Sequence, residues 1–168
     1  SKRRCLGELW EHLYTPCAYC TLRMPVIDSS TLISFAKIQK LDVLALLNGK
    51  TITIQDVYEE CVERGIHLGF VDALRIKDVF DTKTVTIEKV KKQELFSGVS
   101  VIDSKVISLA KEKKDYLFAD DIKLGRRARA ERIEVRNTPD ILLHLVKTKR
   151  MTRKECANAL RVLVDCKR

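Results

Sequence analysis

Four acidic stretches stand where a chain of alternating strands and helices would put chemistry. Asp28 follows the apolar run Met24-Pro25-Val26-Ile27, and Asp120 and Asp121 follow Asp115-Tyr116-Leu117-Phe118-Ala119. Asp103 stands at the start of one helical pattern and Glu60 within another. In open α/β sheets ligands bind beyond the carboxyl ends of the strands, so two neighbouring strand ends would bring these acids together. Like charges at close range are costly unless a cation sits among them, and carboxylate sites suit Mg²⁺ or Mn²⁺. Such an ion activates water and balances the charge that develops when a phosphodiester is hydrolysed. Lys105 and Lys123 are the basic residues nearest in sequence to offset the cluster. Each acid also has a structural reading. Aspartate is a favoured N-cap, which by itself accounts for Asp103 or Asp121. Glu59 and Glu60, followed by Glu63 and Arg64, also read as a solvated helix face.

The elements that must position these acids follow from periodicity. Val26-Ile27, 51–54, 84–87, 115–119 and 133–135 are short apolar or alternating runs with the profile of strands. Helical spacing is expected over 32–36, 41–47, 57–65, 71–79, from Asp103 to Ala110, over 124–130, after Thr138-Pro139, and over 152–164. Ser29-Ser30-Thr31 offer caps for the first helix, and Pro139 falls at a first helical position. This alternation predicts an α/β fold, a mostly parallel sheet covered on both faces. The apolar faces around Leu41–Leu47 and Ile141–Val146 suit either the core or a homodimer contact.

The 168 residues suit one domain preceded by an extension over 1–23. A hydrophobic fraction of 45% with only 6 Gly and 3 Pro excludes a disordered or fibrous chain. Nothing approaches an apolar run of about 18 residues, so the expectation is a cytoplasmic protein with no membrane partner. The formal charge of +9 favours a polyanion such as RNA, with a charged solubilising surface as the plain alternative. Lys123, Arg126 and Arg127, with Arg129, share one stretch that could meet phosphates. Aromatic residues make up 6% of the chain, which argues against a multi-ring base-stacking platform. Cys17-Ala18-Tyr19-Cys20 fits a structural zinc completed by Cys5 and His12, a local disulfide, or free thiols. Cys61, Cys156 and Cys166 read as small apolar residues within helices.

Taken in order, the motifs resemble those of PIN-domain ribonucleases. Val26-Ile27-Asp28-Ser29-Ser30-Thr31-Leu32-Ile33 is similar to the family's opening strand, and Val57-Tyr58-Glu59-Glu60-Cys61-Val62 to its second motif, with Glu60 at the acidic position. Ile102-Asp103-Ser104 resembles the third motif, and Leu117-Phe118-Ala119-Asp120-Asp121 the fourth. The double aspartate followed by Arg126-Arg127-Ala128 is similar to a prokaryotic branch related to VapC-like toxins. The resemblance implies a three-layer α/β/α sandwich over 24–168 and metal-dependent endonucleolytic cleavage of RNA. Asp28, Glu60, Asp103 and Asp121 would be the catalytic acids, joined by Asp120 in holding Mg²⁺ or Mn²⁺. Ser29, Ser30 and Ser104 would orient those carboxylates, while capping is the competing role of Ser29 and Ser30. An antitoxin-like protein and a second copy of the chain are the partners implied. Ala119 stands where the family commonly carries a hydroxyl, and the alternative is a catalytically weak PIN-like module that binds RNA or protein.

Overall fold

The computed structural model describes residues 23–47 and 49–166. Cys5, His12, Cys17 and Cys20, with nearly all of the expected extension, lie outside the described residues. Five strands form a single sheet: β1 (Val26–Ile27), β2 (Thr51–Thr53), β3 (Val85–Ile87), β4 (Leu117–Phe118) and β5 (Val135–Arg136). All pairs are parallel, in the order β3-β2-β1-β4-β5, with Val26 in register with both Ile52 and Leu117. The central strand β1 and its neighbour β4 are wholly inaccessible. That is why Val26-Ile27 and Leu117-Phe118 are continuously apolar: both faces of a covered parallel sheet meet core.

The helical segments are α1 (Ser29–Lys37), a 3₁₀ turn (Leu41–Leu46), α2 (Gln55–Tyr58), a π segment (Glu59–Arg64), α3 (Gly65–His67), α4 (Val71–Asp81), α5 (Val101–Lys113), α6 (Ile122–Ala130), α7 (Thr138–Lys147) and α8 (Arg153–Asp165). The path β1→β2→β3 runs one way across the sheet, and β3→β4→β5 runs back. Right-handed crossovers therefore place α1 through α4 on one face and α5 and α6 on the other. α1 accordingly packs on α4, the π segment and α7, while α5 packs on β1. The result is a three-layer α/β/α sandwich. The faces around Leu41–Leu47 and Ile141–Val146 belong mostly to the core, with Leu46 and Leu143 turned outward. Among the described residues, no helix is long and apolar enough to cross a membrane.

Several boundaries differ from expectation for local reasons. Asp28, not Ser29–Thr31, caps α1. Helix α5 starts ahead of Asp103 because Ser100 is its cap, and Asp103 occupies the third helical position in a reciprocal capping box. Asn137 caps α7, which makes Pro139 its second residue. β4 begins only at Leu117, since the Asp115 carboxylate accepts from the Met24 and Tyr116 N–H groups at the strand's entry. The helical path 55–67 widens into π geometry in its middle, burying Val57, Cys61, Val62 and Gly65 while Glu59, Glu60, Glu63 and Arg64 stay exposed.

Candidate active site

Strands β1 and β4 lie side by side at the point where the chain's path across the sheet reverses, the place where α/β sheets leave a crevice. Asp28 is the first residue beyond β1, and its N–H donates to the Phe118 carbonyl at 2.9 Å. Its side chain then turns into the start of α1: Oδ2 accepts from the Ser30 N–H at 3.1 Å and from the Ser30 hydroxyl at 2.6 Å. The same hydroxyl oxygen accepts from the N–H groups of Asp120 and Asp121, at 3.0 and 3.2 Å. Ser30 thus couples the first acid to the backbone that carries the fourth. Asp121 caps α6, with Oδ1 accepting from the Leu124 N–H at 2.7 Å. Asp103 accepts the Ser100 N–H on Oδ2 at 3.0 Å.

These acids border one cleft of about 610 Å³ together with Glu60, which the π segment presents from α1's side of the sheet. The capping and ligand readings coexist because a carboxylate has two oxygens. Asp103 and Asp121 each commit one to a helix amide, and the other accepts no hydrogen bond among the described residues. The cleft also holds acids that sequence reasoning did not single out for the site: Asp56, Glu59 and Glu63. Glu59 and Glu63 share Glu60's face, a signal available in their spacing; nothing local could bring in Asp56. Arg64 is the one cation among the lining residues. Asp56 is answered from across the cleft by Lys105 of α5, whose Nζ lies 2.7 Å from Oδ1.

The field in the cleft is negative. Burial holds the Asp28 carboxyl above its usual range, the Ser30 hydroxyl and the N–H groups of Ser30 and Ser29 pull it back, and the Asp103 charge adds to the rise. The neighbouring Cys61 thiol is pushed far up, by burial first and then by the charges of Glu60 and Asp28. A cation would relieve both strains.

Other expected site residues are placed elsewhere. Asp120 is turned away: Oδ1 accepts from the Thr138 N–H at 2.7 Å and Oδ2 from the Thr138 hydroxyl at 2.8 Å, so it fastens α7 to the end of β4. Ser104 is buried and its hydroxyl accepts from the Phe96 N–H at 3.1 Å, lacing a loop onto α5 and leaving no bond to an acid. Ser29 does border the cleft. Lys123 and Arg126 are exposed on α6, whereas Arg127 lies over the Phe96 ring at 5.2 Å and pairs with Glu131, a packing role. His144 is half-buried on α7 and held below the usual imidazole range, by burial first and then by Arg136, Arg150 and Lys147.

A divalent cation fits the donors by kind. They are all carboxylate oxygens, which Mg²⁺ and Mn²⁺ take in preference to nitrogen or sulfur. As the side chains stand, no three Asp, Glu, His or Cys groups among the described residues are close enough to hold an ion. Of the acids around the cleft, Glu60 is exposed and Asp103 half-buried.

Fold and cleft together define an α/β protein with a carboxylate-lined crevice at its strand reversal. A family model described as PIN domain matches residues 24–167, and the chain belongs to that family. PIN domains are generally nucleases. A comparison with curated proteins found no match.

Proposed function

We propose that this protein is a metal-dependent endoribonuclease. The observation that carries the reading is the convergence of Asp28, Glu60, Asp103 and Asp121 on one cleft, with buried Asp28 tied through Ser30 to the backbone of Asp121. These four acids would hold Mg²⁺ or Mn²⁺. When bound, such an ion lowers the pKa of a coordinated water and balances the negative charge gathering on phosphorus. The chain's own contribution is placement. Asp28 and Asp121 are fixed by helix caps and by Ser30, so their oxygens need little reorganisation as charge develops. Arg64 is the one lining group able to attract an RNA phosphate against seven carboxylates. Lys123 and Arg126 extend a cationic approach along α6.

The test is cleavage of a structured RNA in Mn²⁺ or Mg²⁺ by the intact chain, Asp28→Asn and Asp121→Asn, with folding checked by circular dichroism. Metal-dependent cleavage lost in both folded variants is expected. Cleavage that survives in either, or none by the intact chain in either metal, overturns the reading. In its narrower form the reading is a VapC-like toxin restrained by an antitoxin-like protein. Growth arrest on induction, abolished by Asp28→Asn, is the expected outcome for that form.

A further inference from the structure

A second cavity, about 590 Å³, opens beside the acidic cleft and shares Glu60 and Arg64 with it. Its character is different: Ile33, Cys61, Leu68, Phe70, Val71 and Ile76 contribute apolar surface between α1, α3 and α4. Phe70 is 60% exposed, and it is the one aromatic side chain among the described residues that is not at least partly buried. An apolar ring held in water is costly, and Val71 and Leu74 next to it are exposed as well. Two cations border this cavity, Arg64 and Lys37, neither in an ion pair among the described residues, along with two carboxylates, Glu60 and Asp72, the latter paired with Arg75. The combination is an apolar slot with an exposed ring, bordered by charges of both signs, opening directly onto carboxylates that would hold a metal ion beside the scissile phosphate.

We propose that this slot is a nucleotide subsite: an unpaired base next to the scissile phosphodiester stacks on Phe70, while Arg64 contacts the phosphate between slot and cleft. The proposal rests on the nuclease reading and specifies its substrate as single-stranded at this position. Stacking on one face of a ring requires a base free of its duplex partner. The occupant is nucleic acid because the slot shares Glu60 and Arg64 with the acidic cleft, so a strand whose phosphate meets Arg64 sets its neighbouring base against Phe70. The slot's own charges balance, Lys37 and Arg64 against Glu60 and Asp72, which suits an uncharged base more than a charged partner segment. The low aromatic content excludes a platform of several rings, and a single ring at one subsite is compatible with it.

The experiment measures binding of a short fluorescein-labelled single-stranded RNA in Ca²⁺ by anisotropy, for the intact chain, Phe70→Ala, Phe70→Leu and Arg64→Gln. A parallel series uses the same RNA with one abasic position moved along it, and cleavage in Mn²⁺ is followed alongside. Phe70 is largely exposed, so both of its variants should fold. Stacked bases typically contribute enough that Phe70→Ala should weaken binding about fivefold or more, and Phe70→Leu should weaken it too. One abasic position should weaken the intact chain's binding similarly and leave that of Phe70→Ala unchanged. Arg64→Gln should lower the slope of log affinity against log salt by about 1. Equal binding by Phe70→Ala and the intact chain overturns the subsite; if cleavage persists, the nuclease reading stands. RNA binding that depends on Phe70 without cleavage in any metal overturns the nuclease reading and keeps the subsite. No RNA binding at all overturns both. A Phe70→Ala chain that loses a dimer while binding RNA normally makes this face a protein interface and also overturns the proposal.

Discussion

Replacing Ser30 by alanine tests the central feature of the cleft, a single hydroxyl joining two motifs 90 residues apart. The hydroxyl donates to Asp28 Oδ2 at 2.6 Å and accepts from two backbone N–H groups, those of Asp120 and Asp121. A hydrogen bond to a charged group contributes about 1.5–3 kcal/mol, and one between neutral groups about 1 kcal/mol. Asp121 is exposed, so water replaces its lost acceptor, whereas the bonds of Asp28 and Asp120 are partly buried. Alanine's better helix propensity at the second residue of α1 returns about 0.5 kcal/mol. The net expectation is a loss of about 2–3 kcal/mol. In a domain of this size that lowers Tm by roughly 5–10 °C. The assay is thermal and chemical unfolding in chelator, followed up a pH series because burial holds the Asp28 carboxyl above its usual range, and repeated in an Asp28→Asn background. Asparagine retains an acceptor for Ser30 and a good N-cap for α1, but no charge. Because charge-assisted bonds are roughly twice as strong as neutral ones, Ser30→Ala should cost about 1 kcal/mol less in that background. An equal cost in both backgrounds, or a Tm change within about a degree, refutes the coupling argued from these distances.

Asp28 has its folded-state pKa raised, chiefly by burial, so its contribution favours folding below the unfolded value and is lost as pH rises through the folded one. In chelator the intact chain should therefore lose stability relative to Asp28→Asn as pH rises above about 4, the ordinary aspartate value, and Mn²⁺ should reverse the loss. A pH-independent difference between the two chains in denaturant titrations refutes this. Asp120→Ala strands the N–H and hydroxyl of fully buried Thr138 and should cost about 2 kcal/mol or more, with Mn²⁺ affinity by calorimetry unchanged. Lowered Mn²⁺ affinity would make Asp120 a ligand after all. Gly65→Ala would set a Cβ 2.7 Å from that of Ala73, and should cost about 1–3 kcal/mol by forcing α3 and α4 apart. Ala73→Gly should restore part of that loss in a double-mutant cycle, and additive costs would refute the clash.

Periodicity and punctuation were enough to place every strand and most helices, because a sheet covered on both faces leaves a continuous apolar signature in Val26-Ile27 and Leu117-Phe118. The acids Asp28, Asp103 and Asp121 were legible for a related reason, since residues just past strand ends and at helix starts are chosen for capping or chemistry, whereas Glu60, within a helical path, was picked out by its likeness to a family motif. Which of those two roles applies is not local information. Asp120 and Asp121 are neighbours in sequence, yet one is consumed by Thr138 on α7 and the other faces the cleft. The alternation of side chains past β4 decides that, together with where α7 returns. Ser30 looked like a cap and Arg127 like a phosphate contact. The first is a bridge because β1 and β4 are adjacent, and the second is a packing residue because Phe96 lies beneath it. Spacing along the chain sets which groups can share an element's face. Only the order β3-β2-β1-β4-β5 sets which elements share an edge, and the cleft exists where that order reverses.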